Sequence, residues 1–186
     1  MIRYDPKIHH RRSIRLGKYD YSWAGYYFIT LCTREQRPLF GNIVDAEMRL
    51  NVTGRIVHNE WLSIPLHYPK TVLHEFIVMP NHIHGIIEIV NARPRYEPVT
   101  QTQTLPASGG FSGVGNPMLN TNLARIIRWY KGRTAFECHK NHPSFAWQRN
   151  YYEHIIRGDY DYYFTTEYIR NNPTKWTEDR FWCLNP

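Results

Sequence analysis

The stretch TVLHEFIVMPNHIHGIIEIV (71–90) constrains this fold more than any other part of the chain. Residues 71–78 and 82–90 are rich in β-branched and apolar side chains, which predicts two strands. Met79-Pro80-Asn81 between them reads as a turn or bulge, and adjacent antiparallel pairing is the simplest topology. In a strand, residues i and i+2 point to the same side, about 7 Å apart. His82 and His84 therefore share one face, and Ile83, Gly85, Ile87 and Ile89 line the other and supply core. Gly85 leaves room on that core face. Two titratable rings on a strand that otherwise looks buried need a purpose.

Around this pair the pattern is mixed. YYFITLCT (26–33) reads as a strand, and LFGNIVDAEMRLN (39–51) carries turn chemistry near Gly41-Asn42 and Asp45-Ala46, which predicts a short hairpin. VTGRIVHNEWLSI (52–64) changes to helical period: Val52, Ile56, Trp61 and Ile64 fit one face, Asn51 or Thr53 caps it, and Pro65 and Pro69 end it. LNTNLARIIRWYKGRTAFE is helical, with Leu123, Ile126, Ile127 and Tyr130 on one side. FAWQRNYYEHIIR reads as a strand and turn, and GDYDYYFTTEYIRNN as a helix capped by Asp159 and stopped by Pro173. The order β, hairpin, α, β-β, loop, α, β, α with mostly antiparallel strands means an α+β fold. One domain accounts for all 186 residues. It carries a basic arm (1–20), a Pro/Gly/Ser/Thr/Gln-rich flexible insertion (91–118) and a C-terminal tail (177–186).

Composition narrows the function. The net charge of +7 favours a polyanionic partner, most simply nucleic acid, with an acidic membrane surface as the competing reading. No run approaches the roughly 20 apolar residues of a membrane span. No signal peptide is predicted at Met1, and Cys32, Cys138 and Cys183 are far apart, which suits small buried thiols in a reducing cytoplasm.

His82 and His84 form a two-nitrogen platform for a divalent metal, or else two strand-end histidines bonded to backbone carbonyls. Helical spacing supplies partners. Tyr168 and Asn172 are i and i+4 and share a face. Asn172 offers a hard amide oxygen suited to Mg²⁺ or Mn²⁺. Tyr168 is then a candidate nucleophile beside a metal-polarised phosphate. Against this, the chain has 14 tyrosines, and Tyr160, Phe164 and Tyr168 also make an ordinary apolar stripe. Tyr151 and Tyr152 are rival nucleophiles ranked lower, because neither has an Asn or Gln one turn on.

Three blocks in order, VMPNHIHGII, WQRNYYEHIIR and YIRNNPTKW, resemble the HUH single-strand transposase superfamily, most closely the REP-associated branch of the Y1 tyrosine transposases. The resemblance spans about Tyr21 to Trp176 and omits the insertion. It implies a ferredoxin-like antiparallel sheet backed by helices. It also implies a metal held by His82, His84 and Asn172, with Tyr168 as nucleophile. Asparagine at 172, where insertion-sequence relatives usually have glutamine, points to the REP-associated branch. The reaction implied is cleavage and rejoining of single-stranded DNA bearing hairpins or palindromic repeats, through a 5′-phosphotyrosine, with Mg²⁺ or Mn²⁺ favoured over zinc. The expected protein is cytoplasmic and nucleoid-associated, and a monomer or homodimer.

For DNA contacts, Arg125, Arg128, Lys131 and Arg133 make a basic helix face interleaved with Trp129 and Tyr130, against the plainer reading of a solvated face with core aromatics. Arg11, Arg12 and Arg15 are candidates to grip a hairpin stem, against a solvated terminus. Trp147 is expected to pack on a strand, and His154 to be structural. Two other functions fit the same residues: an inactive hairpin-binding protein, and a metal-dependent nuclease that uses water.

Overall fold

The computed structural model describes residues 24–90 and 123–178. The arm with Arg11, Arg12 and Arg15, the 91–118 insertion and residues 179–186 lie outside these. The elements are β1 (Gly25–Cys32), β2 (Gly41–Val44), β3 (Glu47–Leu50), α1 (Val52–Leu62), α2 (Ile64–His67), β4 (Thr71–Val78), β5 (His82–Ile89), α3 (Leu123–His139), β6 (Tyr152–Ile156) and α4 (Asp159–Asn171). The main sheet has the order β4-β5-β1-β6, and every neighbouring pair is antiparallel. β5 lies between β4 and β1, and β1 between β5 and β6. That is the split β-α-β arrangement of a ferredoxin-like fold, which the family resemblance implies and which agrees with the α+β class read from the sequence.

Strand alternation sorts the sheet into two faces. Tyr27, Ile29, Leu31, Ile83 and Ile87 join Val57 and Trp61 of α1 and Leu123, Ile126, Ile127 and Tyr130 of α3 in the main core. The opposite face carries Phe28, Ile86 and Ile156, covered by Ile169 of α4. The register puts Thr30 opposite His84 and Cys32 opposite His82, so both histidines share the α4 face. Among the described residues no helix is long and apolar enough to cross a membrane.

The space left by Gly85 has an occupant. A methyl group there would lie 2.4 Å from Trp61 Cζ2 and 3.0 Å from Phe76 Cβ. Gly85→Ala is expected to cost about 1–3 kcal/mol by overpacking. Thermal or urea unfolding checks this, and an unchanged midpoint would mean that Trp61 does not press on β5.

Three local expectations are corrected. On α1 the buried residues are Thr53, Gly54, Val57 and Trp61, and Val52 is exposed. A Cβ on Gly54 would lie 2.1 Å from the Phe40 carbonyl oxygen, so close backbone approach turns the glycine side inward. Pro65 does not simply end α1. It occupies the first turn of α2, where its missing N–H is harmless. The N-cap of α4 is Gly158, whose φ of 93° suits glycine, and Asp159 is the first helical residue. Asn51 caps α1 as expected, accepting from Gly54 N at 2.9 Å. Cys32 and Cys138 are buried and in no disulfide among the described residues, and burial pushes the Cys138 thiol up to about 12.

Candidate active site

The turn before β5 is tied down from several sides. Phe40 N donates to the Pro80 carbonyl (2.9 Å), Thr33 Oγ1 to the Asn81 carbonyl (3.0 Å), and Asn81 Nδ2 to the Gln36 carbonyl (2.9 Å). With its amide nitrogen so used, Asn81 presents Oδ1 to His82 Nδ1 at 2.8 Å. An amide oxygen only accepts, so His82 Nδ1 carries the hydrogen and Nε2 keeps its lone pair. His84 Nδ1 lies 2.8 Å from Thr30 Oγ1, on the facing strand. Phe28 stacks on the His84 ring with centroids 5.3 Å apart. Both histidines are fully buried.

The two Nε2 atoms are 3.0 Å apart. Two lone pairs at that distance repel unless a proton or a cation lies between them. Two ligands about 2.1 Å from one ion and about 90° apart would be separated by about 3 Å. The donor spacing therefore fits a divalent metal, and the Nδ1 partners orient the rings as outer-shell groups do. Side-chain partners on Nδ1, rather than backbone carbonyls, distinguish this pair from two strand-end histidines. Among the described residues no three His, Cys, Asp or Glu side chains gather at one point.

Helix α4 crosses this face. Tyr168 Oη lies 3.2 Å from His84 Nε2, with ring centroids 5.1 Å apart. The tyrosine is 43% exposed, so one edge meets the histidines and the other meets solvent. Asn172, one turn on, is buried at the helix end. A turn further, Trp176 packs on His82 with centroids 5.9 Å apart. Asn172 is thus bracketed by two residues that touch the histidines. A cavity of about 350 Å³ opens beside Tyr168 and Asn172. Arg170 Nη2 to Glu75 (2.8 Å) and Tyr162 Oη to His74 Nδ1 (3.0 Å) hold α4 on β4. The ordinary-core reading of the stripe fails, because Tyr160 and Phe164 are 79% and 54% exposed.

The other sequence candidates fall elsewhere. Tyr152 shares the histidine face, edge-on to Phe28, whereas Tyr151 packs against the α1/α3 core. His154 meets Asp161 at 2.9 Å, a contact between β6 and α4. Burial works to raise the Asp161 carboxyl, but the Arg157 N–H and His154 outweigh it and leave it below the usual range. Trp147 is buried and donates to Thr134 Oγ1 at 2.8 Å.

Arg125, Arg128, Lys131 and Arg133 ride on α3, in the layer on the far side of the sheet from α4. Arg125 and Arg128 are exposed. Lys131 Nζ donates to the Gln148 and Arg149 carbonyls, and burial lowers its pKa. Arg133 pairs with Glu60 (3.3 Å) and Glu137 (3.0 Å). Tyr130 cannot stack on bases, because it is fully buried and donates to the Val57 carbonyl. The residues that sequence reasoning missed are Thr30 and Asn81. Asn81 directly precedes His82, a visible signal, but Thr30 emerges only from the β1–β5 register.

Comparison with known proteins agrees with this architecture. No family model matches the chain. A solved REP-associated tyrosine transposase, in a complex with a REP hairpin, superposes with a TM-score of 0.55 over 82% of this chain and 68% of that one, at 18% identity. The chain has the fold of that class of protein. A Deinococcus radiodurans structure is more distant, with a TM-score of 0.45 and 12% identity over 86% of this chain and 96% of that one. In sequence, a Haemophilus influenzae protein described as uncharacterized is 40% identical over 97% of both chains, and this chain belongs to the same family.

Proposed function

We propose that this protein is a divalent-metal-dependent endonuclease and strand transferase for single-stranded DNA carrying hairpins. It works through a covalent 5′-phosphotyrosine at Tyr168. The observation that carries this reading is the convergence of Tyr168 Oη on His84 Nε2 (3.2 Å), itself 3.0 Å from His82 Nε2. The REP hairpin bound to the transposase of like fold supports the choice of DNA.

His82, His84 and Asn172 would hold Mg²⁺ or Mn²⁺. When bound, the ion supplies Lewis-acid charge at a non-bridging oxygen of the scissile phosphate. Asn81 holds the His82 imidazole in the tautomer that leaves the Nε2 lone pair available, and Thr30 orients the His84 ring through Nδ1. Tyr168 Oη attacks phosphorus as the bond to the 3′ oxygen breaks. The phenol releases its proton and the departing 3′ oxygen takes one up. The phosphodiester becomes a phosphotyrosine ester, so a 3′-hydroxyl can reverse the step without ATP. A nuclease using water would lose that ester, which is why the chemistry calls for a tyrosine.

The test is incubation with end-labelled, hairpin-bearing single strands and Mn²⁺. A denaturation-resistant protein–DNA adduct is expected, with a matching free 3′ end. Cleavage without an adduct would mean a water-using nuclease. Binding without cleavage would mean an inactive hairpin binder. Either result overturns the proposal.

A further inference from the structure

We propose that the cavity beside Tyr168 is a base-binding pocket, with Phe164 and Tyr160 extending it as a stacking surface for the single strand next to the scissile phosphate. This rests on the reading of Tyr168 given above. The cavity, about 350 Å³, is lined by Phe164, Tyr168, Asn172, Glu167, Lys175 and neighbouring groups. Its size falls within the roughly 300–1,000 Å³ of ligand pockets. Aromatic rings line a helix flank that a soluble protein would ordinarily keep polar. Tyr160, Tyr163 and Phe164 are 79%, 60% and 54% exposed, and Tyr160 meets Phe164 edge-on at 4.9 Å. Positions 160, 164 and 168 succeed one another by about 6 Å along one helix face.

Continuity with Tyr168 decides the occupant. A strand that brings phosphorus to the Tyr168 oxygen carries its neighbouring base one sugar away, and the cavity adjoins that position because Tyr168 is itself part of its lining. The polar groups of the lining suit both a base and a backbone. Lys175 lines the cavity, is exposed and makes no ion pair among the described residues, so it can meet a phosphate. Glu167 and Glu178 also line the cavity, with Glu167 3.7 Å from Arg170. Carboxylates repel phosphate but accept hydrogen bonds from exocyclic amines of bases. Asn171 contributes little, because its amide donates to the Glu167 carbonyl at 2.9 Å. Stacking plus edge contacts is how proteins hold unpaired bases.

The experiment measures equilibrium binding of hairpin-bearing single strands in the Tyr168→Phe background, where no adduct can form. An abasic nucleotide is scanned through the unpaired flank. Adding Phe164→Ala is expected to weaken binding about tenfold, the scale of one lost base–aromatic stack. One abasic position should cost the same factor on its own, and should cost nothing further once Phe164 is gone. Unchanged affinity, or no position whose loss Phe164→Ala masks, overturns the pocket. Tighter binding would show the cavity filled by the protein's own chain. Dissociation of a dimer with DNA affinity unchanged would assign the face to a second copy. Both overturn it too. Because the assay needs no chemistry, failure of the wild type to form an adduct leaves this result readable.

Discussion

Tyr168→Phe is expected to abolish the protein–DNA adduct and to lower strand cleavage by at least about a thousandfold, with DNA binding and stability almost unchanged. Removing the attacking atom of a covalent mechanism commonly costs far more than removing a helper, up to on the order of a million-fold. The substitution is clean because it deletes one oxygen from a side chain that is 43% exposed. Its ring contacts with His84 and Phe28, at 5.1 and 6.1 Å, survive. The 3.2 Å contact with His84 Nε2 is lost. Stability should move by no more than about 0.5 kcal/mol, the usual scale for partly exposed sites. Tyr152→Phe serves as the internal control, since Tyr152 shares the histidine face, is 45% exposed and lies edge-on to Phe28. Gel separation of labelled adduct after denaturation reads both variants. An adduct that survives Tyr168→Phe and disappears in Tyr152→Phe would move the nucleophile to β6. Cleavage that survives both would leave no tyrosine mechanism.

What could be read from the sequence depended on range. The β4–β5 pair needed only local pattern, and both strands start where apolar alternation and the Met79–Asn81 turn place them. The core face of α3 was equally legible, because Leu123, Ile126, Ile127 and Tyr130 repeat at helical period. Errors came where tertiary packing overrides period. Gly54 turns α1 toward the Phe40 carbonyl, so the face read from Val52 and Ile56 was rotated. Tyr130 dropped out of the aromatic interleaving of α3 for the same reason: it fills core and hydrogen-bonds across to α1. For the site, strand geometry put His82 and His84 together, and helical geometry paired Tyr168 with Asn172. Nothing local to either segment could bring the pairs within 3.2 Å of each other. That takes β5 in the sheet interior with α4 across its face, a contact between residues 84 apart in sequence. The α3 cations show the converse, since a charge pattern says nothing about which side of a sheet will carry it.

Divalent metal is expected to be required for cleavage, and removing it should be reversible. A chelator should stop adduct formation, with Mn²⁺ or Mg²⁺ restoring it. Activity alone does not locate the metal, because His82 and His84 are fully buried and their loss damages the fold. His82→Ala strands the Asn81 amide oxygen, and His84→Ala the Thr30 hydroxyl, at about 1–3 kcal/mol each before any cavity is counted. The sharper variants are Thr30→Val and Asn172→Ala. Thr30→Val keeps both imidazoles and removes only the group that fixes His84 through the 2.8 Å contact. Loss of such an orienting group typically weakens metal affinity about 10–100-fold. Asn172→Ala removes the amide oxygen and leaves both nitrogens in place. Thermal unfolding with and without Mn²⁺ reads binding directly, since a ligand at 100 times its Kd stabilises by about 2.7 kcal/mol. The wild type should gain that stability, and both variants should need higher Mn²⁺ to reach it. Asn172→Asp, which keeps an oxygen and adds charge, should need less than Asn172→Ala. If the wild type gains nothing from any divalent ion while still forming the adduct, the 3.0 Å histidine contact is a shared proton. The pair would then act as a buried hydrogen-bonded base beside Tyr168, and the metal assignment would fall.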